Sequence, residues 1–136
     1  MPDFHFSISI PVRYSDLDAQ GHMNNARYFT FMEEARLKYA LALKLWDPEH
    51  GFDAVGQIVA EATCAYKAPV TLGQVVRVWV RTASFGHKSM VLEYRLMVDE
   101  AEVATGRTVQ VAYDYTARAP IPIPVQWRTA IEAFER

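Results

Sequence analysis

The chain has 136 residues, 51% of them apolar and 22% charged, with a net charge of −2 at pH 7. That length and apolar content suit a single domain spanning residues 1–136, with a real core, and argue against disorder. The slight acidity offers no general attraction to nucleic acid or to an anionic membrane surface, and no apolar run approaches the ~18 residues of a membrane-spanning helix.

In chain order, the N-terminal MPDFHFSISI lacks a basic stretch followed by an apolar run, so no secretory signal is expected. Phe4, Phe6, Ile8, Ile10 and Val12 alternate as in a strand. Residues 16–25 are polar and hold Gly21, which marks a loop. From Ala26 to Trp46 the period becomes helical. Tyr28, Phe31, Met32, Ala35, Tyr39, Ala42, Leu43 and Trp46 form one face, and Phe29, Leu37, Leu41 and Leu45 widen it. Such a helix is expected to be covered on most sides. Asn24 or Asn25 is the expected N-cap, and Pro48 and Gly51 the expected stop.

Residues 57–115 then read as four strands. They span 57–66, 74–82, 88–98 and 103–115, with turns at 69–73, 84–86 and 99–101. Val76, Val78 and Val80 oppose Arg77, Trp79 and Arg81. In the last strand Val103, Thr105, Arg107, Val109, Val111, Tyr113 and Tyr115 share a face. Pro120, Pro122 and Pro124 make an extended connector to a short final helix. Strands joined by short turns form an antiparallel sheet, and a sheet that covers a helix must curl around it. The predicted class is α+β, a curved antiparallel β-sheet around a long central helix. Its second face, carrying Trp79 and valines, is a candidate subunit interface.

The single cysteine, Cys64, cannot form an internal disulfide and suits a reducing compartment, so a cytoplasmic location is expected. His5, His50 and His87 are scattered, and no metal-ligand spacing, P-loop, GxGxxG or GxSxG run is present. The richest segment is residues 12–28, VRYSDLDAQGHMNNARY, where carboxylates, an imidazole and amides gather before a helix. The start of a helix presents unpaired N–H groups and the positive end of its dipole, suited to a developing oxyanion.

This run resembles the N-terminal motif of the 4-hydroxybenzoyl-CoA thioesterase family, roughly Y-x-D-x-D-x-x-G-x-x-x-N/H-x-x-Y. Tyr14, Asp16, Asp18, Gly21, Asn25 and Tyr28 stand at its positions. The HMNN variant, followed by Glu33 or Glu34, Ala35 and Arg36, is more similar to the broad acyl-CoA branch than to the aromatic-CoA branch. The resemblance implies the hotdog fold and hydrolysis of an acyl-CoA. Asp18 would be the general base or nucleophile, and the oxyanion donor would be a backbone N–H at or near Asn25. Asp16 is expected to hold the loop. His22 would orient water or the carbonyl.

Tyr28, Lys88, Ser89 and Glu61 are the candidate substrate-binding residues, with Lys88 and Ser89 near the coenzyme A phosphates. Phe29, Phe31, Met32 and Tyr66 are candidates for the acyl tunnel. Coenzyme A is part of the substrate, so no cofactor is implied. By resemblance the site lies between subunits of a homodimer or homotetramer. Two other classes fit the same fold: an acyl-thioester hydratase or dehydratase, and a non-catalytic acyl-CoA binder.

Overall fold

Residues 3–46, 49 and 55–136 are described by a computed structural model of the chain. Strand β1 (Phe6–Pro11) leads through a 3-10 turn at Tyr14–Asp16 into helix α1 (Asn25–Ala42). Strands β2 (Val55–Tyr66), β3 (Val75–Phe85), β4 (Ser89–Val98) and β5 (Ala101–Asp114) follow. A two-residue β6 (Ala119–Pro120) and helix α2 (Val125–Glu135) close the chain. All pairings are antiparallel, in the order β1-β3-β4-β5-β2, with β6 against β5. The expected α+β hotdog architecture is the one observed: a sheet curled against one long helix.

Alternation explains which side meets the helix. Val76, Val78, Val80, Leu92, Tyr94 and Leu96 are buried, while Arg77, Trp79 and Arg81 point outward. In β5 the helix side carries Ala104, Thr108, Gln110 and Ala112, and Gly106 lets α1 approach the sheet. A Cβ there would overlap Met32 Sδ. Val103, expected to share a face with Thr105, Arg107 and Val109, departs from them and is buried. The ladder slips between Leu96 and Met97, and this extra residue reverses the side-chain parity.

Helix α1 ends earlier than its apolar pattern suggests. Asn24 is the N-cap, its side chain accepting from the Ala26 N–H. At the other end Leu45 N–H bonds to Ala40 C=O and Lys44 N–H to Leu41 C=O, with Lys44 at φ 58°. This is a Schellman turn with lysine where glycine is usual, and buried Leu45 supplies its apolar contact. The turn, made seven residues before Gly51, stops the helix at Ala42. Pro48 and Gly51, the expected stop, lie outside the described residues, as does His50. The helix is also less covered than expected. Tyr28, Phe31, Met32, Ala35 and Tyr39 form the buried stripe, but Leu37 remains 42% exposed. A single sheet layer covers one side of a helix, and the side toward the β2 edge, where Leu37 and Val59 line a cavity, stays open.

Candidate active site

The segment between β1 and α1 is built from two carboxylates with opposite fates. Asp16 is fully buried. Its Oδ2 accepts the Arg13 backbone N–H (2.9 Å) and Nε (3.3 Å), its Oδ1 accepts Arg13 Nη2 (3.2 Å), and Arg27 Nε lies 3.6 Å from Oδ1. Burial disfavours its charge, but the Arg13 hydrogen bonds and the two guanidinium charges outweigh this and hold its pKa below the usual carboxylate range. The Asp16 carbonyl also accepts the Asn24 N–H at 2.8 Å, so this residue fixes both the loop and the helix start. The expected loop-holding role is what the geometry shows.

Asp18 is half-exposed and belongs to a small hairpin. Leu17 and Met23 form a bridge, Asp18 N–H bonds to His22 C=O (2.9 Å), and Gly21 N–H to Asp18 C=O (3.0 Å). This is a three-residue hairpin loop, a type I turn followed by Gly21 at φ 79°. The D-x-x-G part of the motif is therefore turn chemistry. Asp18 Oδ1 caps the turn by accepting the Gln20 N–H at 2.9 Å, while Oδ2 accepts no bond from the described residues. His22 bridges Thr71, and Met23 N–H bonds to Val70 C=O at 2.7 Å, which ties the hairpin to the chain entering β3.

At the helix start, Ala26 N–H is taken by Asn24 Oδ1 and Arg27 N–H by Asn24 C=O. The Asn25 N–H has no partner among the described residues. The Tyr66 hydroxyl donates to the Asn25 carbonyl at 2.9 Å, and its ring stands edge-on to Tyr28 with centroids 4.8 Å apart. Tyr28 itself is buried. Asp18, His22, Asn25, Tyr28 and Tyr66 thus share one end of the molecule.

Lys88 and Ser89 do not join them. Ser89 pairs with Val111, whereas Tyr66 pairs with Ala104, seven residues away along β5. At ~3.3 Å per residue the two rows are about 23 Å apart. Glu61 lies between them, exposed, beside the bulge in β2 at Val59/Glu61. Of Phe29, Phe31, Met32 and Tyr66, the expected tunnel residues, Phe31 and Met32 are buried in the core, and Tyr66 is 44% exposed. A cavity of ≈ 390 Å³ lies instead between α1 and the β2–β5 pair. Its helix wall begins at Glu33, eight residues and about 12 Å along the axis from Asn25. Arg36, Trp46, Gln110 and Trp127, which also line it, were not singled out as acyl-pocket residues by sequence. Gln110 gave the one signal, an amide on the core side of a strand.

A family model, the thioesterase-like superfamily, matches residues 12–131. The chain belongs to that superfamily. This thioesterase-like chain is 32% identical over 91 residues to the uncharacterized protein YsmA of Bacillus subtilis (strain 168), a match covering 67% of the chain and 60% of YsmA. It thus aligns with less than two thirds of that relative. Among solved structures it is similar to a thioesterase from Thermus thermophilus complexed with coenzyme A and Zn, with a TM-score of 0.86 and 32% identity, covering 99% of this chain and 98% of that one. A gentisyl-coenzyme A thioesterase gives a TM-score of 0.85 and 26% identity, covering 93% and 99%. Among the described residues, no three His, Cys, Asp or Glu side chains converge as a metal-holding group.

Proposed function

We propose that this chain hydrolyses acyl-CoA thioesters to a free acid and coenzyme A, with the finer resemblance to the 4-hydroxybenzoyl-CoA thioesterase branch describing its site. One observation carries the reading: among the described residues the Asn25 N–H at the start of α1 has no partner, and one short hairpin away the half-exposed Asp18 has an Oδ2 that accepts no bond. Asp18 takes a proton from water, and the hydroxide adds to the thioester carbonyl. The Asn25 N–H holds the oxyanion, and collapse expels the coenzyme A thiolate, which recovers the proton. Attack by Asp18 itself, through a mixed anhydride that water then opens, uses the same atoms. His22 orients the water. No cofactor is required, since water is the co-reactant, and a cytoplasmic location fits the coenzyme A pool.

The working unit is a dimer made along β2. This edge strand is twelve residues long, VGQIVAEATCAY, with one charge, no proline and no lysine, and Val59 is 45% exposed. Such an edge calls for a partner. Antiparallel pairing with a second copy about a two-fold axis brings the Tyr66 end of one chain beside the Val55 end of the other. Lys88, Ser89 and the cavity of one protomer then face Asp18 and Asn25 of its partner, with Glu61 near the axis and Tyr28 backing the helix start. A tetramer would use the outer sheet face.

Free-thiol release across short, medium, long and aromatic acyl-CoAs tests the reading. Asp18→Asn should lower kcat about 10²-fold or more. Wild-type kcat in that variant sinks the mechanism. Enoyl-CoA hydration without thiol release points to a hydratase instead. Light scattering should give twice the chain mass.

A further inference from the structure

The hairpins β3–β4 and β4–β5 end in two-residue tips that the fold treats differently. Asp99 and Glu100, between β4 and β5, take no bond from another element among the described residues. The tip at His87 and Lys88 is gripped by three elements. The Gly86 carbonyl accepts Arg128 Nη2 of α2 (2.9 Å), the His87 carbonyl accepts the Ile123 N–H (2.9 Å), and the Lys88 carbonyl accepts the Ala112 N–H of β5 (3.0 Å). The Gly86 N–H closes the turn on the Ser89 carbonyl (2.7 Å). Arg128 also lays its guanidinium over the Phe85 ring, 4.5 Å from its centroid. With three consecutive carbonyls taken, the N–H groups of His87 and Lys88 have no partner among the described residues, and neither Lys88 nor Arg128 meets a carboxylate there. Open, adjacent N–H groups beside an ammonium suit an anion.

We infer that Arg128 is a positioning residue for the substrate: by tying the Gly86 carbonyl to α2 it fixes the turn whose His87 and Lys88 N–H groups and Lys88 ammonium hold a phosphate of coenzyme A. The inference rests on the hydrolase reading and the dimer above and deepens them. In that dimer the path from Ser89 runs through Val111 and Ile58 to the partner's β2. It crosses three strand spacings and follows about three residues to reach Tyr66 of the partner subunit, about 17 Å at ~4.8 Å per strand and ~3.3 Å per residue. A pantetheine arm of about fourteen bonds extends to about 16 Å. A thioester carbonyl at the partner's helix start therefore brings phosphate to this turn. On a loose tip, lysine and backbone would both lose freedom on binding, and the clamp removes the backbone part in advance. Arginine suits the clamp because its planar fork donates to the carbonyl while its face rests on Phe85.

Arg128→Gln should raise KM for an acyl-CoA about tenfold, the worth of one charge-assisted bond, with kcat within about twofold of wild type. The same acyl group on pantetheine, which has no phosphate, should keep its KM, whereas a general loosening of the fold would weaken both substrates alike. Arg128→Lys keeps the charge but not the flat fork, so it should raise KM as Arg128→Gln does. Acyl-3′-dephospho-CoA separates the phosphates: an effect of Arg128→Gln that persists assigns the diphosphate, and one that vanishes assigns the 3′-phosphate. Phe85→Leu leaves every hydrogen bond of the turn in place and should raise KM about threefold, which keeps the test open if the Arg128 variants fold poorly. An unchanged KM for acyl-CoA, an equal rise for the pantetheine thioester, or a wild-type KM in Arg128→Lys overturns the inference. If no acyl-CoA releases thiol, the hydrolase reading fails on its own. Calorimetry with coenzyme A then decides: Arg128→Gln should bind it about tenfold more weakly, and equal affinities overturn the inference.

Discussion

The Tyr66 hydroxyl donates to the Asn25 carbonyl at 2.9 Å, joining the last residue of β2 to the first of α1. The bond sets the orientation of the peptide next to the proposed oxyanion donor. Removing it in Tyr66→Phe keeps the ring against Tyr28 and frees the helix start. A loss of about tenfold in kcat is expected, with KM little changed, because small misplacements of a donor are costly. Unchanged kcat would show that the bond positions nothing.

The buried Asp16 gives the fold a pH dependence. Its pKa is depressed in the folded chain, so ionisation adds stability above the unfolded value. That increment is lost as pH falls through the lower folded value. The window therefore lies below about pH 4. Asp16→Asn should be about 1–3 kcal/mol less stable near neutrality, from loss of charge-assisted bonds. Urea melts from pH 7 to 3 should show the two proteins converging as acid is approached. A constant gap would contradict the linkage.

Glu135 holds the end of α2 in place. Its Oε2 accepts the Tyr39 hydroxyl at 2.5 Å and the Thr82 N–H at 2.9 Å, and the β3 ladder slips between Thr82 and Ser84. Burial first, and then the bond to Glu135, raise the Tyr39 pKa above its ordinary value. Glu135→Ala should cost about 1–3 kcal/mol, and hydrogen exchange should quicken along α2 before the rest of the chain. Exchange that stays slow in α2 would refute the latch.

At Gly106 the Met32 side chain of α1 fills the space that a Cβ would take. The Cβ of Gly106→Ala would strike Met32 Sδ, and Met32 is fully buried. A loss of about 1–3 kcal/mol is expected from overpacking. Met32→Ala in the same chain should recover part of it, measured as a double-mutant cycle. Strict additivity would place the strain elsewhere.

Periodicity alone gave the elements and their order, because the valines of β3 and the aromatic stripe of α1 follow periods that no other local structure repeats. The same local logic located the Asp16–Asn25 segment. It erred where geometry is not periodic. The slip at Leu96/Met97 turned Val103 inward, and Lys44 adopted the left-handed turn that stops α1, neither of which has a compositional mark. Only tertiary structure separated Asp16 from Asp18, two carboxylates in one motif, by turning the first onto Arg13 and Arg27 and leaving the second half-exposed, with an oxygen that accepts no bond from the described residues. It also put Lys88 and Ser89 at the far end of the sheet and left Gln110 Oε1 buried without a partner among the described residues. The division has a physical cause. Local sequence sets which backbone conformations are cheap, whereas burial, charge pairing and cavities depend on residues dozens of positions apart that meet only when the sheet curls against its helix.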